Sequence, residues 1–315
     1  MDILDNNKYI PLHVHYAKGS IGDSILKTTD AIKKAQLLGL DTLSITDHGS
    51  MANVIEFYKE CNNNNIKPII GLEAYECDDR TIKDKTYYHL VLLAKNKQGY
   101  EDLLHISADS QFNGFYYKPR TDISVLKQYG KNLIALSACL GGRIPKMINQ
   151  ILKITTMNYD DEDIVSERLN NITEELQLAN IDTSTMTQAK LIDTYINFKY
   201  QSIVNLIAEY KSIFADFYLE IQPGNFEQQI TINKLIVALA KETNTKLVVT
   251  NDVHYLNAED WSIHDQHVKM AQKKRHDDPC IYPDRCYYLM NYDEIINLFP
   301  YLDMEIVKEA INNTI

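Results

Sequence analysis

Seven short apolar segments recur along the chain, and polar side chains stand at or near the end of most of them. The segments are residues 9–15, 41–48, 66–75, 87–94, 132–139, 216–222 and 246–254. Stretches with the spacing of amphipathic helices separate most of these segments. Because nearly continuous apolarity is typical of strands buried on both faces, the pattern favours a parallel α/β sheet. Such an alternation fits either a closed βα barrel or an open doubly wound sheet.

One long region interrupts this alternation. Residues 146–215 are too long for a single crossover and rich in Asn, Asp, Thr and Ile. We interpret them as a helical insertion with looser parts near 156–163 and 178–186. After residue 255 the pattern becomes irregular. The sequence therefore predicts a barrel domain over 1–255, which contains the insertion, and a C-terminal extension over 256–315.

Composition narrows the classes of protein that remain. The chain has 315 residues, of which 45% are hydrophobic, so it can bury a substantial core. Its net charge of −11 argues against broad binding of nucleic acid by phosphate neutralisation, although bound divalent cations could reverse the sign locally. No run approaches the roughly 18 apolar residues of a membrane span, and the first ten residues lack the features of a signal peptide. We therefore expect a cytoplasmic protein without membrane contact, with reduced cysteines.

Nine residues that commonly bind metals lie around the ends of the apolar segments. Taken singly, each histidine is more often a surface or core residue than a ligand, and we interpret His105, His264, His267 and His276 in that way. Side chains at i and i+2 of a strand share a face, so the joint pattern favours a metal site. The candidate ligands are His13, His15, Asp23, His48, Glu73, His89, Cys139, Asp252 and His254. Since zinc takes about four ligands, this mixed set predicts two or three ions of zinc, manganese or iron.

The same residues lie in motifs that resemble a known family. The segments are PLHVH with GDS, ITDHGSM, EFYKECNNNNIKPIIGLEAY, YHLVLLAKNKQGYEDLL, GFYYKPRTD, LIALSACLGGRIP, FYLEIQ, LVVTNDVHYL and DDP. In this order they resemble the polymerase and histidinol phosphatase (PHP) domain family. The polymerase branch, at the N-terminus of bacterial DNA polymerase III alpha subunits, is the most similar.

The resemblance implies a distorted (β/α)7 barrel, with the helical insertion added to it. It also implies how the ligands divide among three ions. His13, His15, Glu73 and Asp252 would bind the first ion, and Glu73, His89 and Cys139 would bind the second. Asp23, His48 and His254 would bind the third, although the step from His15 to Asp23 is one residue longer than the family pattern.

The function that the resemblance implies is hydrolysis of a DNA 3′ end by a metal-dependent 3′-5′ exonuclease. Glu73, Asp252 and His254 would act through a metal-activated water. Lys118 and Arg120 are candidate phosphate contacts, with a solvated loop as the alternative. Tyr116 and Tyr117 could stack on bases, but we expect them to pack in the core.

Two other functions remain open from the sequence. The metals could be structural, in a domain that supports a polymerase, because a closed structural site uses the same residue types. The chain could also hydrolyse a small phosphomonoester, in which case we expect a small, closed, basic pocket. We expect partners among replication proteins, in particular a polymerase core, which this sequence does not contain.

Overall fold

A computed structural model describes residues 8–157, 162–282 and 284–315. The described strands are β1 Thr42–Ile45, β2 Lys67–Cys77, β3 Tyr88–Ala94, β4 Phe115–Tyr116, β5 Lys118–Asp122, β6 Leu133–Leu136, β7 Asp216–Ile221 and β8 Lys246–Val249. The described helices are α1 Thr28–Leu37, α2 Val54–Asn63, α3 Lys97–Phe112, α4 Ile123–Tyr129, α5 Arg143–Thr155, α6 Glu162–Leu178, α7 Gln188–Ile213, α8 Glu227–Glu242, α9 Trp261–Ala271, α10 Tyr292–Ile296 and α11 Met304–Asn312.

The strands form one curled sheet. Its order is β4-β5-β2-β3-β6-β7-β8, and β1 pairs in parallel with the first half of β2. The segment around Val14 hydrogen bonds on both sides: the Thr46 N–H donates to the Val14 carbonyl, and the His15 N–H donates to the Val253 carbonyl. These contacts connect β1 to the segment that follows β8, so the curled sheet surrounds an interior cluster that contains Leu12, Val91, Leu136 and Val248, as expected for a distorted (β/α)7 barrel.

Strand β3 is the exception to the parallel arrangement expected from the hydrophobic pattern. It runs antiparallel to both of its neighbours, β2 and β6. Its first residues therefore lie beside the carboxyl end of β2, where Tyr75 pairs with His89. This direction explains why His89 stands near the start of its segment, while the other candidate ligands that lie in segments stand near the ends of theirs.

The hairpin of β4 and β5 was not predicted as strands. Strand β1 pairs with the first residues of β2, and β5 pairs with the last ones on the same side; Tyr75, for example, pairs with Arg120. Within the hairpin, Tyr116 pairs with Lys118 across a tight turn at Tyr117. The hairpin therefore stands at the end of the barrel that carries the candidate ligands.

The insertion is helical, as predicted. It begins within α5 and includes α6 and α7, which pack through a separate cluster that contains Ile172, Leu176 and Tyr195. The predicted loose part at 178–186 falls between α6 and α7. The other, at 156–163, falls partly outside the described residues.

The C-terminal residues pack on the barrel rather than apart from it. Phe299, Val307 and Ile311 are fully buried in the same cluster as the barrel residues Leu92 and Leu219. None of the helices that the structure describes is both long and apolar enough to cross a membrane. The boundary predicted near residue 255 stays a prediction.

Candidate metal centre

His13 and His15 lie on the extended segment that connects the two ends of the sheet. Both imidazoles are fully buried and face the same carboxylates. The Nε2 atom of His13 is 3.1 Å from Oε1 of Glu73 and 3.2 Å from Oδ1 of Asp252. The Nε2 atom of His15 is 3.4 Å from Oε2 of Glu73 and 3.2 Å from the same Asp252 oxygen. These four side chains are the set expected around the first ion.

Glu73 stands at the centre of the site, because each of its oxygens contacts two imidazoles. Besides His13 and His15, Oε1 is 3.1 Å from Nδ1 of His89 and Oε2 is 2.6 Å from Nδ1 of His48. The Cys139 Sγ lies 3.7 Å from the same His89 nitrogen. A carboxylate in this position can bridge two ions, as predicted for the first and second.

Asp23 lies in the site despite its longer loop. Its Oδ2 is 2.6 Å from Nε2 of His48 and 3.3 Å from Nε2 of His254. The Tyr282 hydroxyl donates to its Oδ1 at 2.6 Å, and Nε2 of His264 lies 2.7 Å from its backbone carbonyl. Tyr282 and His264, from the C-terminal region, therefore position Asp23, the ligand whose spacing departs from the family pattern.

The backbone turns sharply beside several ligands. Asp252 itself has a φ of 51°, and Ala138, which precedes Cys139, has a φ of 63°. Gly49, which follows His48, has a φ of 56°. Non-glycine residues in this region cost of order 1–3 kcal/mol and concentrate at functional sites. Here the residues with positive φ are a candidate ligand, Asp252, and the direct neighbours of two others, Cys139 and His48.

The observation that tests the fit to metal ions is a set of buried ligand atoms that form no hydrogen bond of good geometry, although they lie 2.6–3.4 Å from one another. Buried polar atoms are nearly always paired, and each unpaired one costs about 1–3 kcal/mol. Here the unpaired atoms point at one another: His13 Nε2, His15 Nε2, His48 Nδ1, Glu73 Oε1, Glu73 Oε2 and Asp252 Oδ1. The triads His13–His15–Glu73, His48–Glu73–His89 and His15–His48–His254 each place their ligand atoms within 4.8 Å of one another. Divalent cations would satisfy this donor set.

Electrostatic interactions and burial raise the pKa of some histidines in the cluster and lower the pKa of another. Burial alone would lower the pKa of His13, but the carboxylates of Asp252, Glu220 and Glu73 outweigh it and raise that pKa well above its ordinary value. For His48 the burial effect is likewise outweighed, chiefly by Glu73 and Asp23, and the pKa rises to about 10. His15 shows the opposite result: burial and the neighbouring imidazoles lower its pKa to about 3.

The carboxylates of the cluster stay ionised. Burial alone would raise the pKa of Glu73, but His89, His48 and His13 outweigh it and lower that pKa well below its usual range. Asp252 behaves in the same way, with His13 as the largest opposing influence. Without metal the cluster thus attracts protons, which metal ions would have to displace.

A cavity of about 560 Å³ opens beside the cluster. Its lining includes the candidate ligands Asp23, His48, His89, Cys139 and Asp252. Tyrosines form much of its wall, namely Tyr75, Tyr87, Tyr282 and Tyr287. Cavities of this size accept small ligands or a short part of a larger one. The cluster is therefore both buried and accessible from one side.

The two predicted phosphate contacts have different surroundings. Lys118 lines the cavity, with its Nζ 3.3 Å from the Tyr75 hydroxyl, which suits a phosphate contact. Arg120 is only 1% exposed, and its guanidinium donates to the carbonyls of Gly114, Asp84, Arg80 and Ile82. The expectation for Arg120 is therefore corrected, because its donors hold the loop before β3 instead of facing the cavity.

Three residues at the site were not assigned a role from the sequence. Glu220 accepts hydrogen bonds from Gln222 and Thr250 and contacts His13, and its position near the end of an apolar segment was the available signal. Tyr282 and His264 contact Asp23 from the irregular C-terminal region, where no periodic pattern marks them. His264 was interpreted as a surface or satisfied core residue, and it is buried and hydrogen bonded.

Comparison with known proteins identifies the family of this chain. A family model described as PHP domain matches residues 11–224. The DNA polymerase III subunit alpha of Borreliella burgdorferi is 32% identical over 98% of this chain and 23% of its own length. That of Helicobacter pylori strain 26695 is 30% identical over 98% of this chain and 22% of its own. The chain therefore spans about a quarter of the length of these relatives.

A solved structure of an amidohydrolase from Chromobacterium violaceum is also similar in part. It aligns with 78% of this chain and 87% of its own, at 12% identity and a TM-score of 0.39.

Proposed function

Because the chain belongs to the PHP domain family, we propose that it is a metal-dependent phosphoesterase that removes nucleotides from a DNA 3′ end. The observation that carries this proposal is the cluster of unpaired, buried ligand atoms that opens onto a cavity. A structural zinc site is closed, whereas catalytic sites keep access for substrate and water. Here Asp23, His48 and Asp252 line the open cavity.

Three groups of side chains would bind two or three ions of zinc, manganese or iron. His13, His15, Glu73 and Asp252 would hold one ion, Glu73, His89 and Cys139 a second, and Asp23, His48 and His254 a third. When bound, such ions supply Lewis acidity toward water and phosphate and neutralise charge on the phosphodiester. Glu73, Asp252 and His254 are the proposed catalytic ligands.

Other residues bind and orient the substrate in this proposal. Lys118 places a cation at the cavity rim, where a phosphate of the DNA strand would lie. Tyr87 and Tyr282 contribute ring surface to the walls of the cavity. The proposed setting is the cytoplasm, beside a polymerase core or other replication proteins, as the similarity to polymerase subunits suggests.

A phosphatase acting on small phosphomonoesters is the weaker candidate. Its dianionic substrate calls for a basic pocket. Among the described residues that line the cavity, Lys118 is the one lysine or arginine. A platform with structural metals only is the remaining alternative, and activity measurements separate it from the exonuclease.

The test is an assay of the purified chain on 3′-labelled single-stranded and mismatched primer DNA with Mn²⁺, Zn²⁺ or chelator. The Asp252→Ala/His254→Ala variant should lose release of nucleotides and bind fewer ions. His105→Ala is the matched control, because His105 is exposed and stacks on Tyr129 outside the cluster. Equal release from wild type and the double variant would refute the exonuclease. Hydrolysis of p-nitrophenyl phosphate without release from DNA would favour the phosphatase.

A further inference from the structure

The hairpin of β4 and β5 presents aromatic side chains to solvent next to the cavity. Phe115 is 59% exposed and Tyr117 is 65% exposed. The expectation that Tyr117 packs in the core is wrong for this reason. Exposed aromatic rings grouped beside a binding site commonly mark an interaction surface.

The ring of Tyr117 is held in place although it is exposed. Its backbone has a φ of 60°, a conformation that costs a non-glycine residue about 1 kcal/mol or more. The centroids of the Tyr117 and Tyr116 rings are 4.8 Å apart with the rings at an angle of 89°, and the Nζ of Lys85 stands over the Tyr117 ring, 4.4 Å from its centroid. These contacts orient one face of the ring toward Lys85 and leave most of the side chain in solvent.

The hairpin is continuous with the candidate metal centre. Lys118, next to Tyr117, lines the cavity and reaches the Tyr75 hydroxyl. The ring of Tyr75 in turn stacks on His48, with centroids 5.8 Å apart. Lys118 and Tyr75 therefore connect the exposed hairpin to the candidate ligand His48. A nucleic-acid strand that ends in the cavity would pass over the hairpin.

The local charge differs from that of the whole chain. Lys85 stands over the Tyr117 ring and Lys118 lies within the hairpin, while Asp122, the carboxylate at the end of β5, is paired with Arg80. The chain as a whole carries −11. Lysines interleaved with exposed aromatic rings suit single-stranded nucleic acid, whose bases stack on the rings while the cations follow the phosphates.

From these observations we infer that Phe115 and Tyr117 form a stacking platform for an unpaired nucleic-acid strand whose end occupies the cavity. The inference rests on the proposed function and specifies its substrate as single-stranded near the cleaved end. The strand would run from the cavity past Lys118 and stack its following bases on the hairpin. A cavity of about 560 Å³ accommodates the end of one strand and not a duplex.

The experiment compares wild type with Tyr117→Ala, Phe115→Ala and the conservative Tyr117→Phe. Fluorescence anisotropy of a labelled oligodeoxythymidine of about twelve nucleotides, in chelator, measures binding without hydrolysis. Tyr117→Ala should weaken binding about fivefold or more, which is the range expected for the loss of one stacked base. Tyr117→Phe keeps an aromatic ring and should bind the oligonucleotide as tightly as wild type. Tyr58→Ala is the matched control, since Tyr58 is 52% exposed on α2 and does not line the cavity.

Hydrolysis gives a second, independent readout. With metal, Tyr117→Ala should raise KM for the long strand and leave kcat and the cleavage of a dinucleotide unchanged. Unchanged affinity for the long strand in both alanine variants would overturn the platform. If no nucleotide is released by wild type, the exonuclease fails, while the anisotropy result still decides the platform.

Discussion

The Nδ1 atom of His13 lies 2.8 Å from Oε1 of Glu220, and this contact directs the other ring nitrogen toward Glu73 and Asp252. Both side chains are buried. A carboxylate behind a metal-binding histidine fixes its tautomer and orientation, and its loss typically costs 10–100-fold in metal affinity. Glu220 is therefore a positioning residue for the first ligand of the site.

Glu220→Gln should weaken metal binding by about one order of magnitude while the chain still folds. Competition with a fluorescent chelator measures the affinity, and elemental analysis measures the number of ions. Glu76→Gln is the matched control, because Glu76 is also buried but contacts Arg143 and Tyr210 rather than a ligand. Equal metal affinity in the two variants would contradict a role for Glu220 in positioning His13.

Tyr282→Phe should weaken the binding of one ion only. The hydroxyl that it removes donates to Asp23 and lies 3.3 Å from Nε2 of His254, so two of the three proposed ligands of the third ion lose a partner. We expect about a tenfold loss of affinity for that ion, with the other ions retained. Tyr287→Phe should have no such effect, since within the described part of the chain its hydroxyl makes no hydrogen bond. A uniform loss of all ions would indicate a general structural role instead.

Gly49→Ala should destabilise the chain more than Gly39→Ala does. Both glycines have positive φ, 56° and 71°, so both variants cost about 1 kcal/mol of backbone strain. A Cβ at Gly49 would also lie 2.7 Å from Pro119 Cγ and 2.9 Å from the Tyr75 ring, whereas one at Gly39 meets nothing within 4 Å. Urea unfolding should show about 1–3 kcal/mol more loss at Gly49. Equal losses of stability in the two variants would show that Pro119 and the Tyr75 ring move away from the new Cβ without a measurable cost in free energy.

Lys118→Ala and Arg120→Lys should separate binding from stability. Lys118 lines the cavity, so its loss should raise KM for DNA about tenfold while the free energy of unfolding changes by less than about 0.5 kcal/mol. Arg120 donates to four carbonyls, so lysine there should cost about 2 kcal/mol or more in urea unfolding. The reverse pattern would restore Arg120 as a phosphate contact.

The metal-free chain should lose stability as the pH rises. The folded state raises the pKa of His48 to about 10, above its ordinary value of about 6.5, because Glu73 and Asp23 outweigh the effect of burial. A raised pKa contributes stability that is complete below about pH 6.5 and is lost as the pH rises through about 10. Urea unfolding in chelator should show a smaller decline between these pH values in His48→Gln than in wild type. His105→Gln should decline as wild type does, and identical declines in all three would contradict the prediction.

Several features of the fold could be predicted from local pattern. The seven apolar segments all contribute to the barrel, since a buried strand needs apolar residues wherever it lies. The pairs His13/His15 and Asp252/His254 were recognisable because side chains two residues apart share a face of an extended chain. Most of the nine ligand candidates stand near the carboxyl ends of apolar segments that meet at one end of the barrel, whereas His89 reaches it from the start of the antiparallel β3 and Asp23 from a loop.

Other features depend on contacts between distant parts of the chain. The hydrophobic pattern does not distinguish the direction of β3, yet only its antiparallel course brings His89 to the ligand edge. Lys118 and Arg120 are two residues apart on one short strand, but one lines the cavity and the other lies under the loop that precedes β3.

By itself the sequence determined the apolar segments of the barrel, the helical insertion and the chemical types of ligand, because periodicity and residue identity are local properties. The tertiary structure decided which groups support those ligands. Glu220 behind His13 lies 207 residues away in sequence, and Tyr282 beside Asp23 lies 259 residues away. Such pairs follow from how the barrel closes and how the C-terminal residues pack on it, and no short-range pattern encodes them.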